Sequence, residues 1–166
     1  MYKAPFAFVM TLSALCGLPW TTVGAQGLSP PSRVVQMTSL RSADRTQFKK
    51  PVRELVRDSA TFRQLFREIR GSDTVPSIDF RRSVVILIAL GTRSSTGYEV
   101  HVRELRMSGN ELHVYFDLIE PGEGCVVGAE QQSPATMIQA MLRVPASSPP
   151  RVVFHDRKLV IQCSTD

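Results

Sequence analysis

Histidine and cysteine are scarce, with three of each among 166 residues. So few thiols exclude a disulfide-dense scaffold, and so few imidazoles exclude a multi-histidine metal cage. Tryptophan occurs once and tyrosine three times. No Gly-x-Ser-x-Gly elbow is present, which removes the strand–turn–helix nucleophile of the α/β-hydrolases. Gly122, Gly124 and Gly128 are spaced one residue too widely for a dinucleotide fingerprint, and no βαβ unit surrounds them. What is present is 43% hydrophobic and 21% charged residues with a net charge of +5. That is the balance of one globular domain with little catalytic equipment.

The first residues read as an export signal. Lys3 supplies the positive start, Phe6 to Leu18 is an apolar run, and Pro19 ends any helix. Val23-Gly24-Ala25 places small residues before Gln26, the pattern of a cleavage site. The run is shorter than the roughly 20 residues that span a bilayer, so a membrane anchor is disfavoured. Lipidation at Cys16 is disfavoured as well, because Leu15 stands where such signals need a small residue. The expected chain is 26–166, periplasmic or secreted, with no stable membrane insertion. Its two remaining cysteines, Cys125 and Cys163, are expected to pair in an oxidising compartment.

Charge is unevenly distributed. Residues 26–70 hold ten basic and four acidic side chains, whereas 71–166 hold nine basic and eleven acidic. Ser29-Pro30-Pro31-Ser32 has linker composition, and 26–50 is read as a basic, solvated linker ahead of a domain at 51–166. Nucleic acid is excluded as a partner, since no aromatics interleave with the cations.

Within 51–166 the hydrophobic period changes once. Phe62, Leu65, Phe66 and Ile69 form one helical stripe, preceded by Asp58 or Ser59 as N-cap and followed by Gly71 as the closing residue. Thereafter the pattern is that of strands. Val84 to Leu90 is a seven-residue apolar run, expected to be a strand covered on both faces. Tyr98 to Leu118 reads as a hairpin turning at Ser108-Gly109-Asn110, with a phase slip at Arg103-Glu104 that signals a β-bulge. Met137 to Val144 is a further strand. Val152-Val153-Phe154 and Leu159-Val160-Ile161 read as a second hairpin across His155-Asp156-Arg157-Lys158. The expected fold is α+β: a mostly antiparallel sheet or sandwich with one amphipathic helix near its start.

Candidate chemistry is sparse. His101 and His113 fall on polar faces of the first hairpin, on the order of 13 Å apart by strand rise, too far for shared metal bonds of about 2 Å. His155 is assigned to a turn, so three solvated histidines, no metal and no cofactor are expected. Glu120 and Glu123 read as solvated carboxylates, and no catalytic residue is assigned. The segment Gly91-Thr92-Arg93-Ser94-Ser95-Thr96-Gly97-Tyr98 stands out, being longer than a minimal turn and rich in small hydroxyl residues. Gly97 can adopt positive φ, and Thr96 can bond back to the loop backbone. Ser95, Thr96, Gly97 and Tyr98 are therefore the candidate partner-binding residues, with Tyr98 either an exposed anchor or a filler of the core edge.

From about Val52 to Cys163 the chain resembles the C-terminal domain of PrcB-type subunits of bacterial surface protease complexes. The resemblance rests on the order of short pieces: Ala60-Thr61-Phe62-Arg63-Gln64-Leu65-Phe66, then Ile78-Asp79-Phe80 leading into the apolar strand, then Gly91 opening a loop that ends Gly97-Tyr98-Glu99-Val100. Pro121-Gly122-Glu123-Gly124-Cys125, Ser133-Pro134 and Val152-Val153-Phe154 complete it. Thr96 stands where that family usually has the first glycine of Gly-Gly-Tyr. The resemblance implies a non-catalytic role, associating with and stabilising an extracytoplasmic protease. Ser95-Thr96-Gly97-Tyr98 is also similar to the Thr-Thr-Gly-Tyr loop of chagasin-like cysteine protease inhibitors, which implies inhibition through 92–98 as the alternative.

Overall fold

A computed structural model describes residues 31–69, 74–142 and 150–163. The expected export signal, the start of the expected linker, Gly71 and Val144 lie outside those residues. Eight strands and one helix follow one another: β1 (Arg33–Val34), β2 (Met37–Ala43), β3 (Val52–Val56), α1 (Ser59–Glu68), β4 (Ser83–Ala89), β5 (Glu99–Ser108), β6 (Glu111–Pro121), β7 (Ala135–Met141) and β8 (Arg151–Ile161). They form two four-stranded sheets, ordered β1-β5-β6-β8 and β2-β7-β4-β3. Every pairing is antiparallel except that of β6 with β8, which is parallel.

The run that forms β4 explains the layering. All seven of its residues are buried, and alternate side chains leave on opposite faces. Val84, Ile86 and Ile88 meet Val100, Leu105, Met107, Leu112, Val114 and Phe116 of the first sheet. Val85, Leu87 and Ala89 meet Phe62, Leu65, Phe66 and Ile69 of the helical stripe. The second sheet is thus the middle layer, covered by α1 on one side and by the first sheet on the other. Each large side chain fully buried in this way stabilises the fold by roughly 1.5–3 kcal/mol.

Local chemistry sets the ends of α1. Asp58 caps it, with Oδ1 accepting from Ala60 N at 2.9 Å and Thr61 N at 2.8 Å. Those bonds hold the Asp58 carboxyl below its ordinary range. Ile69, at the other end, has already left the helical region. The bulge expected at Arg103-Glu104 is present, the register of β5 against β6 shifting between Val102 and Glu104. Gly91 closes β4 at φ +73°, where an added Cβ would crowd the Lys50 carbonyl carbon at 2.7 Å.

Three expectations are corrected. Part of the 26–50 linker is sheet: β1 pairs with β5 and β2 with β7, because Val35, Met37 and Leu40 carry apolar side chains onto the two cores. The strand expected at 137–144 begins two residues earlier, at Ala135. The hairpin across 155–158 does not exist, since 151–161 is one continuous strand. Of the turn-forming residue types, His155-Asp156-Arg157-Lys158 holds Asp156 alone, with no glycine to supply positive φ. Its charges are instead answered across strands: Asp156 by Arg53 at 3.1 Å, Arg157 by Asp117, and Lys158 by Glu120 at 2.6 Å.

Candidate functional site

The 91–98 segment is held against a second loop, 122–133. Arg93 and Gln132 exchange backbone hydrogen bonds, Arg93 N donating to Gln132 O at 2.7 Å and Gln132 N to Arg93 O at 3.2 Å. Tyr98 N donates to the Gln132 side-chain oxygen at 3.2 Å. Thr96 N donates to Gly128 O at 3.0 Å, and Gly128 N donates to Thr96 Oγ1 at 2.7 Å. The Thr96 hydroxyl therefore does not fold back on its own loop, as expected from the sequence, but reaches across to another.

Gly97 has φ +94°, a conformation that side-chain-bearing residues rarely adopt. A Cβ placed there would lie 3.3 Å from Pro121 Cβ and 3.6 Å from Val127 Cγ1. Both constraints favour glycine at the point where the two loops touch. Tyr98 is half-buried against the core of the sandwich, with the Arg93 guanidinium 5.3 Å from its ring centroid. The ring fills the core edge. Of the four candidate residues, Gly97 is exposed and Ser95 and Thr96 are half-buried.

The second loop is fastened in turn to the end of β8. Cys125 and Cys163 form a disulfide, their Cα atoms 4.9 Å apart. Gly122 N donates to Ile161 O at 2.9 Å. Around this junction four aliphatic side chains face solvent: Val126 fully, Val127, and Val160 and Ile161. One end of the molecule thus presents Gly97, Val126, Val127, Val160 and Ile161 on a frame of hydrogen bonds and one covalent bridge. Exposed aliphatics gathered on a fixed frame suit the docking of another protein.

Gly128 and Gln132 carry no mark in the sequence, because their partners Thr96 and Arg93 lie more than 30 residues away. The exposed pair Val126-Val127 beside a cysteine was the available signal.

The outer face of the first sheet carries polar groups that also meet. Asp117, 6% exposed, accepts from Arg103 Nε at 2.8 Å and from Arg157 Nε and Nη2 at 3.0 Å each. The Arg157 bonds, helped by the charge of Arg103, hold its carboxyl below the ordinary range. His113 Nδ1 and His155 Nε2 lie 2.9 Å apart, joined by a hydrogen bond, and Tyr115 stacks on His155 at 4.6 Å between ring centroids. The expectation of three independent solvated histidines is thereby corrected, since straightening 151–161 brings His155 beside His113.

A groove lined, among the described residues, by Arg33, Val34, Val35, Gln36, Arg82, Met141 and Leu142 pairs arginines with aliphatics. No helix among the described residues is long and apolar enough to cross a membrane.

No curated protein and no solved structure matches the chain. Residues 84–140, which run from β4 through both candidate loops to β7, match the family model described as PrcB C-terminal.

Proposed function

We propose that this chain is an exported, non-catalytic binding domain that associates with an extracytoplasmic protease and stabilises it. The observation that carries the reading is the two-loop end, where Thr96 and Gly128 lock together and Val126, Val127 and Ile161 stand in solvent. Both loops fall inside the stretch matched to the PrcB C-terminal family, and the resemblance to PrcB-type subunits supplies the class of partner. A frame braced at three points presents aliphatic side chains with little ordering cost on binding, which favours a protein partner.

The test is co-purification of the exported protein from its native host, followed by activity assays of the captured protease. A stabilising subunit prolongs the protease's lifetime at elevated temperature without lowering its turnover. Val126→Asp, which changes only an exposed side chain, should abolish capture while leaving the fold intact. Suppression of papain-like protease turnover by the purified domain would replace this reading with inhibition.

A further inference from the structure

We propose that His113 and His155 form a two-imidazole site for a divalent transition metal ion, with Cu²⁺ the tightest-bound member of the class. The inference does not rest on the protease-partner reading. His113 lies on β6 and His155 on β8, both on the outer face of the first sheet, His155 directly beside Tyr115 in the parallel register. Their nitrogens are 2.9 Å apart, the ring centroids 5.2 Å apart and the planes inclined by only 18°. Those three values mean that the rings meet edge to edge, with one proton on the line between the two nitrogens.

A metal that replaces that proton sits off the line between the two nitrogens, which is too short to hold two metal–nitrogen bonds end to end. Two metal–nitrogen bonds of about 2.0–2.1 Å, meeting at roughly 90–109°, hold their nitrogens roughly 2.9–3.4 Å apart. The separation already falls in that range, so the nitrogens need not move apart, but the rings must turn by roughly 45° to aim both lone pairs at one point. Half-buried side chains at a sheet surface have that freedom, and water completes the coordination on the open side. The displaced proton moves to the far nitrogen of the same ring by exchange with solvent.

Neighbouring groups favour the required tautomer. Glu111 Oε2 lies 3.6 Å from His113 Nε2, on the far side of that ring. At that distance the carboxylate makes no hydrogen bond; its charge favours a proton on the Nε2 side, which leaves the Nδ1 lone pair for the metal. Tyr115, stacked on His155 at 4.6 Å and nearly parallel, holds that ring, so the larger turn falls to His113. Two cations lie nearby and are already engaged: Arg106, opposite His113 on β5, donates to Glu104 at 2.7 Å, and Arg151 is 3.7 Å from Glu111.

The test is titration of the untagged full exported chain with Cu²⁺, and separately with Zn²⁺, followed by calorimetry and, for Cu²⁺, by electron paramagnetic resonance. One ion should bind, with a spectrum showing two nitrogen ligands, and affinity should fall by at least about tenfold in each of His113→Gln and His155→Gln. His101→Gln should leave it unchanged. The metal should raise the melting temperature of the parent protein and of neither variant at 113 or 155. Circular dichroism of each variant separates lost ligation from lost folding. Absence of saturable binding, or equal affinity in either single variant, overturns the proposal.

Discussion

Asp117 and Arg157 face one another across the parallel pair β6–β8, both guanidinium bonds measuring 3.0 Å. The contact explains why a charged stretch that reads as a turn runs straight. It also makes a pH prediction. The Asp117 carboxyl is held below its unfolded value near 4, so its contribution to stability is complete above that pH. The contribution is lost as pH falls from about 4 through the lower folded value. Acid denaturation of the parent should therefore be steeper below about pH 4 than that of Asp117→Asn, measured by fluorescence against pH. At neutral pH the variant should be less stable by about 1–3 kcal/mol, because Arg103 and Arg157 then converge without their anion.

Thr96 is predicted to act through its hydroxyl. Thr96→Val keeps the shape and removes the acceptor for Gly128 N, costing about 0.5–1.5 kcal/mol by denaturant titration. Thr96→Ser should restore most of that loss. Partner capture should follow the same order if the locked loops form the binding surface.

Tyr98→Ala tests the two roles assigned to that residue. Its ring is packed at the core edge beside Arg93, so truncation should lower stability by roughly 2–4 kcal/mol. An unchanged melting temperature with lost partner capture would instead mark it as an exposed anchor.

The disulfide closes a span of 38 residues. Removing it through Cys125→Ser and Cys163→Ser together should reduce stability by up to about 4 kcal/mol in the chain-entropy treatment. Intact-mass measurement after alkylation without reduction should find neither residue labelled in the parent.

Asp58→Ala removes the cap of α1, whose carboxylate accepts from two backbone amides. The expected cost is about 1 kcal/mol in thermal unfolding.

Elements whose order is local were legible before any coordinates. The stripe Phe62, Leu65, Phe66 and Ile69 defined α1, the run Val84 to Leu90 defined the twice-covered strand, and the slip at Arg103-Glu104 marked the bulge. The pairing of Cys125 with Cys163 followed from their being the two cysteines left after the expected signal. Strand β8 reads as a turn because its middle is polar, and only long-range partners, Arg53, Asp117 and Glu120, make that polarity compatible with a sheet. The meeting of His155 with His113 is illegible for the same reason, since it exists only when 151–161 runs straight beside β6. The loop 91–98 stands out in the sequence for its length and its small hydroxyl residues, whereas its bracing by Gly128 and Gln132 depends on contacts that no spacing encodes.

Parallel pairing of β8 with β6 has a consequence for the order in which the molecule assembles. Residues 151–161 arrive after every other described strand, yet Val152 and Phe154 lie against the inter-sheet core next to Phe116. A nascent chain halted before that point lacks the cover that Val152 and Phe154 give Phe116, and lacks Cys163 to close the bridge. Quality-control proteases should therefore recognise fragments ending near residue 142 far more readily than the finished polypeptide.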